Sequence, residues 1–237
     1  MVKTNDIKYI AEIGLNHNGS LDLAKKHIES AKESNASIAK FQTYITENRA
    51  KQNSPIFDIL KQCELSIDDF HELKQFCENI DITFASTPFC ERSAEYLSQI
   101  DCKIIKVASF HLRNIDLIKR ILNFRNCNEI IISTGVSSSI DLLRVNNLYD
   151  SINQKLPKLS FLHCISEYPI SNLSNYNLIN IPYIKKITNK KVGFSDHSLG
   201  PLTASYAIAL GAEIIEKHFT VDNQLEGADH AMSASPQ

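Results

Sequence analysis

Eight short apolar runs, each followed by a polar or helix-forming stretch, set the tightest limit on what this 237-residue chain can fold into. They read KYIAEIGL (8–15), IAKFQTY (38–44), ITFAST (82–87), IIKVAS (104–109), EIIISTG (129–135), LSFLHCIS (159–166), VGFSDH (192–197) and EIIEKHFT (213–220). Runs this rich in β-branched residues predict parallel strands buried on both faces. Between them lie amphipathic stretches. In LDLAKKHIESAKES (21–34), Leu21, Ala24, Ile28 and Ala31 share one helical face, and 68–78 and 115–124 repeat the pattern. Ser20 and Ser66 stand at N-cap positions, and Gly211 marks the last helix-to-strand turn. Eight strands alternating with helices predict an α/β fold of the (β/α)8 TIM-barrel type. A doubly wound open sheet rarely needs eight strands, and no GxGxxG follows the first one. Residues 45–65 have no clear period and read as a polar loop over the barrel mouth. The Asn-rich stretch 171–180 reads as a second. With no repeat, low-complexity tract or linker, residues 1–237 form one barrel domain.

Composition narrows the class. The net charge of −2 gives no electrostatic basis for nucleic acid or an anionic membrane as partner. A chain 43% hydrophobic and 22% charged is globular rather than disordered. Met1 to Asp6 is polar and leads into no long apolar h-region, and no window approaches the ~18 apolar residues of a spanning helix. The six cysteines (Cys63, Cys77, Cys90, Cys102, Cys127 and Cys164) contain no CxxC pair. They read as reduced thiols, which places the chain in the cytoplasm.

The ends of the strands carry the chemistry. In a barrel of this type the active site lies where the strands terminate, and there every run delivers polar groups. Glu12, Asn16 and His17 lie on or after the first, Lys40 and Gln42 share a face of the second, and Ser86-Thr87 ends the third. Lys106 and Ser109, Ser133-Thr134, Ser166-Glu167-Tyr168, Ser195-Asp196-His197, and Glu216 with His218 follow in turn. Two lysines inside apolar strands are unusual, because lysine is almost never buried unpaired. With Thr87, Ser109, Ser133 and Ser195 nearby they fit a multiply charged oxyanion such as phosphate; structural ion pairs are the alternative. His197 and His218 end adjacent strands, so their imidazoles can converge on one divalent ion or simply pack as hydrogen-bonded core histidines. Spacing does not choose between Mn²⁺, Fe²⁺, Co²⁺ and Zn²⁺. Asp196 has the further reading of a helix cap. Glu12, in YIAEIGL, needs a partner such as Lys40 or a catalytic role, since an unpaired buried carboxylate costs several kcal/mol.

These residues stand in motifs that resemble one family. AEIGLNHNGSLDLAKK (11–26), KFQTY (40–44), STPF (86–89), IKVAS (105–109) and ISTG (132–135) match the sialic acid synthase family in order. LHCISEYP (162–169), VGFSDHSLG (192–200), ALGAEIIEKHF (209–219) and GADHAMS (227–233) continue the match nearly to the end. The resemblance implies a barrel enzyme that condenses phosphoenolpyruvate with an N-acetylated hexosamine, giving a nine-carbon 2-keto-3-deoxy acid and phosphate. It implies a divalent metal, usually manganese (Mn²⁺), on His197 and His218. It implies phosphoenolpyruvate contacts at Lys40, Thr87, Lys106, Ser109 and Ser195, with Gln42, Ser133 and Ser166 close by. Glu12 matches the catalytic glutamate, Glu216 the acid near the metal, and Tyr168 a residue on the sugar side.

Two departures stand out. The family usually has an acidic residue two positions after the strand-four serine, where this chain has Ser109-Phe110-His111. Phe110 is like the pseudaminic acid branch. His111 exchanges an acceptor for a group that also donates, so sialic, pseudaminic and legionaminic acid chemistries all stay open. The second departure is length. Family members continue into a final helix and an antifreeze-like domain that reaches across a homodimer with a sugar-binding arginine. The chain stops at Ser235-Pro236-Gln237, so an incomplete barrel is expected, one that is catalytic, binds ligand without turnover, or acts only with a separate partner chain.

Overall fold

The structure, a computed structural model, describes residues 7–170 and 172–236. The polar amino-terminal reading at 1–6, Ser171 at the start of the Asn-rich stretch and Gln237 at the carboxyl end lie outside the described residues. Eight strands pair in parallel and in sequence order, and the last closes on the first. They are β1 (Lys8–Gly14), β2 (Ile38–Thr43), β3 (Thr83–Pro88), β4 (Ile104–Val107), β5 (Glu129–Ser133), β6 (Lys158–Cys164), β7 (Lys191–Asp196) and β8 (Ile214–His218). The helices are α1 (Leu21–Glu33), α2 (Thr46–Arg49), α3 (Phe57–Gln62), α4 (Ile67–Asn79), α5 (Glu91–Gln99), α6 (Ile115–Leu122), α7 (Ser139–Ser151), α8 (Asn180–Thr188) and α9 (Leu202–Ala209). This is the (β/α)8 barrel that the alternation of runs predicts.

The caps follow local chemistry. Ser20 accepts from the Leu23 N–H at 3.2 Å, and Ser66 makes a capping box with Asp69. The predicted cap at Asp196 is corrected. Its Oδ1 accepts from Ser198 N at 2.9 Å and its Oδ2 takes Lys217 Nζ at 2.9 Å, while α9 starts after Pro201. Residues 45–65 are also not a plain loop, because α2 and α3 lie within them. Among the described residues no α-helix follows β8. Residues 219–236 instead return over the mouth through a 3-10 turn at His230–Met232 and a Phe219–Ala234 bridge.

Two apolar layers hold the barrel. Strand residues facing outward pack with the helices, Phe41, Phe161 and Phe194 among them, each fully buried. Ile10, Ile38, Ala85, Ile104, Ile131, Leu162 and Ile214 form a separate plug within the barrel. Strand β7 supplies Gly193 at that level, and a Cβ there would lie 2.2 Å from the Ile214 carbonyl oxygen and 2.7 Å from Leu162 Cδ2. Gly193→Ala is therefore expected to cost about 2–3 kcal/mol through overpacking. A urea-unfolding midpoint unchanged from wild type would refute this close approach.

The plug fixes what lies above it. Side chains alternate with a period of two along a strand. Stepping two residues up from Ile10, Ile38, Ala85, Ile104, Ile131, Leu162, Gly193 and Ile214 gives Glu12, Lys40, Thr87, Lys106, Ser133, Cys164, Ser195 and Glu216. The apolar plug thus becomes, one layer higher, a ring of polar and ionisable groups.

Candidate active site

The ring opens into a cavity of about 400 Å³ at the C-terminal mouth. It is lined by Glu12, Lys40, Gln42, Thr87, Lys106, Ser109, Ser133, Ser166, Tyr168, Ser195, His197, Glu216 and His218, so nearly every residue expected from the sequence meets here.

Its centre is an ion cluster. Lys40 Nζ lies 2.6 Å from Glu12 Oε2 and 3.5 Å from Glu216 Oε2, and Lys106 Nζ lies 3.5 Å from Glu216 Oε1. All four side chains are nearly solvent-free. Lys40 also donates to Thr87 Oγ1 at 3.3 Å, and Gln42 Nε2 donates to Glu12 Oε1 at 3.1 Å. The Ser195 hydroxyl donates to Glu216 Oε1 at 2.8 Å. Shared charge sorts the two carboxylates. Burial works to raise the Glu216 pKa, but Lys106 and Lys40 outweigh it and hold it down at about 2. Burial wins at Glu12, whose pKa is raised although Lys40 opposes it. Burial lowers the Lys106 pKa against the pull of Glu216. At Lys40, burial is overcome by Glu12 and Glu216, which raise it.

The hydroxyl side is built by close backbone approach. Ser109 Oγ accepts from Gly135 N at 3.0 Å and sits 3.1 Å from Cys164 Sγ. A Cβ at Gly135 would be 2.5 Å from that sulfur and 2.8 Å from Ser166 Oγ, so only glycine lets the β5 end close on the site. Ser133 Oγ and Gln42 Oε1 are buried in the lining with no hydrogen-bond partner among the described residues. Orphaned polar atoms beside two lysines are what a polar ligand would satisfy.

The two imidazoles meet as adjacent strands require, with ring centroids 5.9 Å apart. His197 Nδ1 donates to the Ile165 carbonyl at 2.6 Å, so Nε2 keeps its lone pair on the cavity side. Burial and the neighbouring His218 lower the His197 pKa to about 4; burial lowers that of His218 against Asp229. Both rings are therefore neutral, the form a metal binds. His218 Nδ1, 3.6 Å from Asp229 Oδ2, has no hydrogen-bond partner among the described residues. Two neutral nitrogens beside a carboxylate fit the donor chemistry of a divalent cation. No set of three or more His, Cys, Asp or Glu converges as a metal site among the described residues.

Tyr168 stacks over His197 with centroids 3.9 Å apart. His111 does not line the cavity. The 3-10 turn Ser109–His111 rotates each residue by about a third of a circle, which leaves Ser109 inward, Phe110 on the rim and His111 against Phe89. Asn16 and His17 are structural: Asn16 Nδ2 donates to Phe219 O at 2.8 Å and Ser233 Oγ at 2.9 Å, and His17 Nδ1 accepts from Gly19 N at 3.1 Å. Two lining residues escape the strand-end rule, Arg49 on α2 and Asp229 in the segment after β8. Neither sits in a periodic run.

Buried lysines, orphaned polar atoms and paired imidazoles at the C-terminal mouth define a polar, cation-bearing site of the kind barrel enzymes carry there. The chain belongs to the NeuB family, whose model matches residues 27–237. It is 35% identical over 250 residues to N,N'-diacetyllegionaminic acid synthase of Legionella pneumophila, covering 96% of this chain and 68% of that protein. It is 30% identical over 240 residues to human N-acetylneuraminate-9-phosphate synthase, covering 96% of this chain and 66% of that one. The solved sialic acid synthetase of Leptospira borgpetersenii superposes with a TM-score of 0.91 at 35% identity, covering 97% of this chain and 79% of that one. The chain spans about two thirds of the length of these curated relatives. Among the described residues no helix is long and apolar enough to cross a membrane.

Proposed function

We propose that this chain condenses phosphoenolpyruvate with an N-acylated hexosamine, releasing phosphate and forming a nine-carbon 2-keto-3-deoxy sugar acid. The observation that carries the reading is the Lys40–Glu216–Lys106 bridge set beside unsatisfied hydroxyls. Two fixed cations beside orphaned polar atoms support this reading, because they suit the phosphate and carboxylate oxygens of phosphoenolpyruvate. The family and the names of its matched members support the same chemistry.

In this reading Lys40, Lys106 and the hydroxyls of Thr87, Ser109, Ser133 and Ser195 hold the phosphoenolpyruvate. The enol carbon attacks the open-chain aldehyde of the sugar, and water then adds at C2. Glu12, fixed by Lys40 and Gln42, handles the proton of that water, while Glu216 stays charged against the cation developing at C2. The C2–O bond to phosphorus breaks last, and the two lysines receive the departing phosphate. His197 and His218 would hold a divalent ion, manganese in our reading, which supplies Lewis-acid activation of the aldehyde when bound.

The test is phosphate release from phosphoenolpyruvate with Mn²⁺ across a panel of N-acylated hexosamines. His218→Ala is expected to lose manganese binding by titration calorimetry and at least ~100-fold in release together. Undiminished turnover by that variant after chelation would remove the metal from the reading.

A further inference from the structure

A second cavity, of about 890 Å³, lies at the other end of the barrel. Its walls come from the starts of strands: Lys8 opens β1, Ile104 opens β4, Glu129 opens β5 and Lys158 opens β6. Lys103 stands one residue before β4, and the loops after α6 and α7 add Arg125 and Lys155. Ile104 also belongs to the apolar plug, so that layer separates this cavity from the ring at the mouth. Five cations thus line the N-terminal end against one carboxylate, and that carboxylate is already engaged. Glu129 is 4% exposed; Lys8 donates to its Oε2 from the opposite strand of the ring, and Ser160 Oγ donates to its Oε1 at 2.8 Å. Lys103, Arg125, Lys155 and Lys158 have no ion-pair partner among the described residues.

The chain as a whole carries a charge of −2, so this concentration of positive charge is local. Like charges gathered around a concave wall repel one another and focus their field into the cavity, where an anion relieves the repulsion. Size and charge describe that anion. The volume is that of a small-molecule site, which favours a compact ligand over a polymer. A single carboxylate or phosphate leaves most of the unpaired cations unmatched. A chain of phosphates brings several charges and many acceptor oxygens in one compact body, and lysine and arginine side chains suit those oxygens. Half-buried Phe124 and Leu156 give the cavity an apolar side against which a planar base can pack.

We propose that the N-terminal end of the barrel binds a triphosphate group, with Lys103, Arg125, Lys155 and Lys158 as its donors. The group is carried either by a nucleoside triphosphate or by inorganic polyphosphate. The site is separate from the mouth and does not rest on the synthase reading.

The experiment is titration calorimetry of the full chain with ATP and, separately, with inorganic triphosphate, at about 0.15 M salt. One equivalent is expected to bind with a Kd of about 100 µM or tighter. Tighter binding of ATP than of triphosphate identifies the nucleotide as the source, through the Phe124 side of the cavity; equal or weaker binding identifies the inorganic chain. Arg125→Gln/Lys155→Gln should weaken binding by about tenfold or more, and Lys103→Gln should weaken it in the same direction. These side chains are exposed, so the urea-unfolding midpoint should not move. No saturable binding at millimolar concentration would overturn the assignment, and so would equal affinity in wild type and the double variant. Displacement of the bound triphosphate by phosphoenolpyruvate would place the anion at the mouth and overturn it as well.

Discussion

Replacing Lys40 with methionine is expected to lower kcat/KM for phosphate release about 10³-fold and to destabilise the fold by about 3–5 kcal/mol. Lys40 touches both central carboxylates, Glu12 at 2.6 Å and Glu216 at 3.5 Å, and all three groups are nearly sealed from water. Removing one partner of a buried ion cluster leaves charges that neither solvent nor protein compensates. In the proposed reaction the catalytic loss has a separate origin, since there Lys40 is a preoriented cation facing the departing phosphate, the class of donor whose deletion costs about 10²–10³ in rate. A second variant separates the two effects. In Lys40→Met/Glu12→Gln the unpaired carboxylate is gone, so urea-unfolding stability should recover by a few kcal/mol while thermal protection by phosphoenolpyruvate does not. Recovery of that protection along with stability would show that Lys40 serves the fold and not the substrate.

The pairing that buried charge demands explains why the site was so visible in the sequence. A lysine in IAKFQTY and a glutamate in YIAEIGL break the apolar run of a buried strand, and each break lands two residues above a plug residue, Ile38 or Ile10. Period-two geometry therefore carries Glu12, Lys40, Lys106, Ser195 and Glu216 to one level without any knowledge of contacts. The same logic cannot reach Arg49, because α2 is four residues long and lies in a polar stretch without period. Nor can it reach Asp229. The segment after β8 is placed by long-range hydrogen bonds, from Asn16 to Phe219 and Ser233 and from Asn223 to the carbonyls of His230 and Ser233. His111 shows the converse. Proximity to a strand end predicts the mouth, but one 3-10 turn carries it out of the cavity. Strand ends are legible locally, and what loops bring to them is decided by tertiary packing.

Those hydrogen bonds make the stability of the mouth sensitive to acid. His27, buried on α1, donates from Nδ1 to Leu23 O at 2.8 Å, and its Nε2 lies 3.4 Å from Thr220 Oγ1. The same hydroxyl lies 2.7 Å from His230 Nδ1, so α1, the β8 end and the returning segment share one polar junction. Burial lowers the pKa of both His17 and His27 to about 4 from the ordinary 6.5, and burial also lowers that of His230. A histidine whose folded pKa is depressed contributes stability above its unfolded pKa. That contribution disappears as pH falls from 6.5 toward 4, because the unfolded chain takes up the proton first. At a limiting slope of about 1.4 kcal/mol per pH unit, half of it at pH 6.5, each of the two histidines should cost about 1.5 kcal/mol between pH 6.5 and pH 5. Urea unfolding is expected to show a loss of about 3 kcal/mol, and His17→Gln/His27→Gln should be less stable at pH 7 yet lose much less on acidification. This window lies above the one set by Glu216, whose stabilising ion pairs fail only as pH falls from 4.5 toward about 2. An equal loss in the double variant and wild type between pH 6.5 and pH 5 would assign the acid sensitivity to other groups. If the losses differ as expected, the acid sensitivity belongs to the neutral imidazoles of His17 and His27, of which His27 meets the junction at Thr220.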